Sequence, residues 1–117
     1  MTDKPWGRNY EPGVPHEIDA DAYTSIWAMS AAAIAKHGGA TAFSNFGADL
    51  SFDDIGRLSE NLAAYLQSEL GLKKGDRVAI MSPNIMAFPV TMFANMRAGL
   101  VQVNVNPLYT PRELEHQ

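Results

Sequence analysis

The sequence predicts an α/β fold: helices packed on a short parallel βαβ unit, with a β-hairpin ahead of it. Three observations predict it. Arg77 to Met81 and Leu100 to Val105 are short apolar runs separated by a helical stretch, and strand, helix, strand at this spacing makes a right-handed βαβ unit with parallel strands. Thr41 to Phe46 and Leu50 to Phe52 flank Gly47-Ala48-Asp49, the pattern of a hairpin with a glycine-containing turn. Phe52, Ile55, Leu58, Leu62, Leu66 and Leu70 recur at three- and four-residue spacing, which is one face of a long helix.

In chain order, residues 1–20 hold Pro5, Pro12, Pro15, Gly7 and Gly13 without periodicity and read as an extended arm, distinct from an αβ unit over 21–117. Trp6 and Tyr10 have no local partner there. Either they pack on the body of the domain or they cross to a second subunit. Asp21 to His37 reads as a helix, capped by Asp19 or Asp21 and ended by Gly38-Gly39, with Tyr23, Ile26, Trp27, Ser30 and Ile34 on one face. After the hairpin, Ser51 and Asp54 have the spacing of a capping box, so the long helix starts at Phe52. Gly71 stands at its left-handed end.

Lys73-Lys74-Gly75-Asp76 is a turn into the strand Arg77 to Met81, whose nearly unbroken apolar character predicts cover on both faces. Ser82-Pro83-Asn84 leads into a helix from about Ile85 to Ala98, with Ile85, Phe88, Met92 and Met96 inward. Pro89 implies either a kink or a regular helix beginning near Phe88. Gly99 joins that helix to the strand from Leu100, and Gly47 lies in a turn with room for a methyl. Asn106-Pro107-Leu108-Tyr109 is a turn. Thr110 then caps a new helix, with Pro111 at its first position and Glu113 three residues after the cap. Only one turn of that helix precedes Gln117, and a helix of that length is marginal alone. The expectation is a piece of a longer protein, truncated inside a helix.

Composition narrows the function. The 117 residues are 46% hydrophobic and 19% charged, enough for one core. A net charge of −4 and a single basic pair, Lys73-Lys74 followed by Asp76, argue against nucleic acid, which is met by Lys and Arg clusters. The absence of cysteine excludes disulfides and thiolate metal sites and fits a cytoplasmic protein. Met1-Thr2-Asp3-Lys4-Pro5-Trp6 has no apolar core and is no signal peptide. Ile85 to Val101 contains Pro89, Asn95 and Arg97 and falls short of the roughly 20 apolar residues of a membrane span.

No catalytic, cofactor-binding or metal-binding residue emerges. The turn after Met81 has no glycine, whereas a phosphate loop needs glycines so that backbone N–H groups reach the oxygens. His16, His37 and His116 lack ligand-spaced neighbours. Asp53-Asp54 suits the positive end of a helix dipole better than paired acid/base work, and Glu113 and Glu115 read the same way. No serine has a nucleophile-elbow pattern. The methionines mostly fill the core.

Two longer segments are more specific. Gly71-Leu72-Lys73-Lys74-Gly75-Asp76-Arg77-Val78-Ala79-Ile80-Met81-Ser82-Pro83-Asn84 resembles a segment near the N-terminus of the adenylate-forming enzymes, the superfamily of acyl-CoA synthetases and luciferases. The stretch from Arg97-Ala98-Gly99 through Val105-Asn106-Pro107-Leu108-Tyr109-Thr110-Pro111-Arg112-Glu113-Leu114 to Gln117 is similar to the segment that follows it, in the form found in bacterial long-chain fatty acid–CoA ligases. The resemblance implies the N-terminal part of the large domain of such an enzyme. It also implies the parent's reaction: a fatty acid carboxylate attacks the α-phosphate of ATP, with Mg²⁺, and coenzyme A thiol then displaces AMP. The family's phosphate loop and catalytic lysines lie downstream, so the matching positions are expected to be architectural: Gly99 ends a helix, Pro107 breaks a strand, Asn84 caps a helix. The resemblance further implies a cytoplasmic enzyme, with peripheral contact at the inner membrane face left open, and an inactive isolated segment; the two-stranded parallel unit, with its edges and faces uncovered, is expected to make that segment self-associate. Two alternatives stand beside it: a small non-catalytic αβ interaction or dimerisation module, and a segment of another acid–thiol ligase of the superfamily.

Overall fold

A computed structural model describes residues 4–117. The first three residues of the arm, part of the segment read as lacking a signal peptide, lie outside the described residues. The arm is not wholly extended: Pro5–Asn9 winds into a short 3₁₀ helix. It folds back on itself, with Lys4 paired to Glu17 and the Tyr10 ring 5.4 Å from that of His16. Trp6 stays 56% exposed and does not reach the core.

The first α-helix, α1 (Ile26–His37), starts later than its sequence pattern suggests. Ser25, not Asp19 or Asp21, is the cap, and its hydroxyl accepts from the Ala28 N–H at 3.0 Å. Asp19 instead accepts from the Asp21 N–H in a local turn, which leaves Tyr23 outside the helix and exposed. A serine with its hydroxyl at the right distance outcompetes an aspartate already engaged two residues away.

The hairpin pairs β1 (Thr41–Asn45) with β2 (Ala48–Ser51), antiparallel. Its turn is Phe46-Gly47 rather than Gly47-Ala48-Asp49, because Asn45 faces Ala48 in the register. Both turn residues have positive φ, as a type I′ turn requires. The long helix α2 (Phe52–Ser68) opens with the expected capping box between Ser51 and Asp54.

The βαβ unit is β3 (Arg77–Met81), α3 (Ala87–Ala98) and β4 (Val101–Val105), with β3 and β4 parallel and in register from Arg77–Val101 to Met81–Val105. Pro89 falls in the first turn of α3, where its missing N–H has no intrahelical partner to lose, so no kink is needed. Cover on both faces of β3 is not observed: Ile80 is buried, while Met81 is 45% exposed. A short α4 (Pro111–His116) follows, with its own capping box between Thr110 and Glu113.

The core sits between α2 and α3 and over the base of the strands. Ala63, Leu66, Ala94, Ala98 and Leu100 form its centre, with Leu62, Leu72 and Val78 against it. The helices meet through small residues: Ser59 and Ala94 are fully buried, while Phe88, Met92 and Met96 are only half-buried. Small side chains let two helix backbones approach, and the large residues of each stripe are pushed to the flanks of the contact. Leu70 and Ile85, both placed inward by periodicity, are exposed because α2 ends at Ser68 and α3 starts at Ala87, which leaves both outside the helices.

Candidate functional site

In open parallel sheets, ligands collect beyond the carboxyl ends of the strands. Two turns occupy that end. In the β3–α3 turn, the Ile85 N–H donates to the Pro83 carbonyl at 2.8 Å and the Phe88 N–H to the Ile85 carbonyl at 2.9 Å. Pro89 has no N–H, and Met86 at the cap offers no side-chain bond. Asn84 is therefore not a cap; its carbonyl accepts from the Asn45 side-chain amide at 3.1 Å. The N–H groups of Ile85 and Phe88 are thus engaged within the turn, and Pro89 has none.

The β4–α4 turn is closed in a different way. Asn106 takes the Leu108 N–H on its side chain at 3.0 Å and the Tyr109 N–H on its carbonyl at 3.0 Å. Glu113 accepts from both the hydroxyl and the N–H of Thr110, and these bonds hold its carboxyl below the usual carboxylate range. An anion approaching the start of α4 meets that carboxylate first.

The remaining titratable candidates have structural surroundings. The Ser51 hydroxyl, then Arg57, then the Ser51 N–H hold Asp54 ionised below its ordinary range. The Asp53 N–H donates to the Gly38 carbonyl at 2.9 Å, tying α2 to the end of α1. His37 lies 5.3 Å from the Phe52 ring. Among the described residues, no group of three or more His, Asp or Glu is placed to hold a metal ion.

Three features escape a reading of the sequence. Asn45 ties the hairpin to the β3–α3 turn and closes one end of an apolar groove of about 320 Å³, lined by Phe43, Ile85, Phe88, Pro89 and Met92. Arg97 stacks 4.6 Å over the Trp27 ring and pairs with Glu60 at 3.0 Å, joining all three long helices. Asn95 is fully buried, and its amide reaches Gln102 at 3.4 Å; Gln102 in turn donates to Asn104 at 2.8 Å. Their signal in the sequence was faint: a polar residue inside an apolar helix, and an arginine three residues past Ala94.

The profile of the AMP-binding enzyme family matches residues 30–117. The long-chain-fatty-acid–CoA ligase of Escherichia coli O6:H1 is 50% identical over 114 residues, 97% of this chain and 20% of that protein. The enzyme of the same description from Bacillus subtilis is 41% identical over 119 residues, again 20% of its length. The chain thus spans about a fifth of the curated relatives it matches. Among solved structures, the NpsA N-terminal subdomain of Klebsiella oxytoca, in complex with 3-hydroxybenzoyl-AMSN, superposes with a TM-score of 0.76 at 24% identity over 86% of this chain and 26% of that one. VinN gives 0.71 at 20% identity over 75% and 23%. These likenesses show the fold: an α/β unit matching the N-terminal subdomain of adenylating proteins.

Proposed function

Because the chain belongs to the AMP-binding enzyme family, we propose that it is the N-terminal scaffold segment of an ATP-dependent fatty acid–CoA ligase. The observation that carries this reading is the 50% identity sustained over 97% of the chain to a long-chain ligase. In the proposed parent, a fatty acid carboxylate oxygen attacks the α-phosphate of ATP and pyrophosphate leaves. The thiol of coenzyme A then attacks the acyl carbon, and AMP leaves as the thioester forms. ATP and coenzyme A as substrates support a cytoplasmic place for the parent, with contact at the inner membrane face left open.

The residues in hand do not fit Mg²⁺ or the nucleotide, since the turn after β3 has no glycine and no acidic cluster is present among the described residues. No step is assigned to them. Their work is to hold shape: the capping boxes at Ser51 and Thr110 start α2 and α4, and Gly99 joins α3 to β4.

Two experiments test the reading. The purified 117-residue chain is expected to show no fatty-acid-dependent ATP–pyrophosphate exchange above a buffer blank, because preorganised donors at the developing phosphate charge are what lower the barrier. The coding sequence past Gln117 is expected to extend α4 with an apolar stripe in phase with Leu114, and later to encode a Ser/Thr/Gly-rich loop ending in Lys, which supplies backbone donors and a cation for phosphates. A stop codon at that point, or a long frame without such a loop, overturns the ligase reading.

A further inference from the structure

We draw no further inference here: the strongest candidate, the apolar groove of Phe43, Ile85, Phe88, Pro89 and Met92 beside the exposed Phe46 of the hairpin tip, is an unpartnered apolar face, and nothing in the structure shows what covers it.

Discussion

Gly99 has a φ of 70° where α3 ends, and its N–H returns to the Met96 carbonyl at 3.3 Å while its carbonyl takes the Gly75 N–H at 2.9 Å. A Cβ there would stand 3.1 Å from Cγ of Lys74. Gly47 is open on all sides, yet its φ of 80° still resists a side chain, so room alone does not make it neutral. Gly47→Ala is expected to cost about 1 kcal/mol from left-handed strain. Gly99→Val adds a β-branched side chain crowded against Lys74 at a half-buried joint and should cost about twice that or more. Urea midpoints of the two variants decide the order, and equal midpoints would remove the reason to single out Gly99. Ser51 gives a second test at this scale. Its hydroxyl accepts from the Asp54 N–H at 3.1 Å and donates to the Asp54 carboxylate at 2.8 Å. Ser51→Ala should cost about 1 kcal/mol at neutral pH. The folded-state pKa of Asp54 is lowered, so its share of that stability is present above the ordinary Asp range, about pH 3.9, and is lost as pH falls through the folded pKa. The gap between wild type and Ser51→Ala should therefore narrow in acid, without closing, because the bond to the N–H survives. A gap that widened below pH 4 would contradict this assignment.

At the scale of elements, the α2–α3 contact is the main packing in the molecule, and it contains one polar misfit. The Oδ1 of Asn95 is buried without a hydrogen-bond partner, and its amide makes only the long contact with Gln102. An unpaired buried acceptor costs roughly 1–3 kcal/mol, whereas an apolar side chain of the same shape carries no such cost. Asn95→Leu, which keeps the branching, is expected to leave stability unchanged or raise it by about 1 kcal/mol in a denaturant titration. A loss above about 2 kcal/mol would show that the Asn95–Gln102–Asn104 series is worth more than its distances imply. Pro89 marks the other end of the same helix. The sequence left two readings of it, a kink or a regular helix beginning near Phe88, and the start of α3 at Ala87 selects the second.

At the scale of the whole molecule, β3 and β4 form a sheet of two strands with both outer edges unpaired among the described residues. Met81 and Val101 add exposed apolar area to it, at 45% and 46%. Parallel strands are stable when covered, and an open edge with apolar flanks recruits further strands. The isolated chain is expected to self-associate through these edges on light scattering as concentration rises. Asn104→Pro should suppress the edge-driven part: the Val101 N–H bonds to Asp76 on the β3 side, so in the parallel ladder the N–H of Asn104 faces the open edge and its loss spares the β3–β4 pairing. A strictly monomeric mass at high micromolar concentration would refute the expectation.

The sequence by itself determined the hairpin and both capping boxes, because each rests on interactions between residues a few positions apart, and the parallel βαβ unit, because a strand, a helix and a strand at this spacing have one favoured handedness although β3 and β4 pair at long range. It also determined the family, through the long matching stretches from Gly71 to Asn84 and Arg97 to Gln117. Other features were decided only in three dimensions. The apolar period picked the inward face of α2, with Ile55 and Leu66 buried, but that Ser59 and Ala63 sit deepest against α3 was visible only in three dimensions. The start of α1 depended on a contest between Ser25 and an Asp19 already engaged. The meeting of Asn45 with Asn84, and of Trp27 with Glu60 and Arg97, joins residues dozens of positions apart, and local propensity carries no term for such contacts. The β3–α3 turn belongs to both levels: its lack of glycine is legible in the sequence, and the bonds made by its Ile85 and Phe88 N–H groups are visible only in three dimensions.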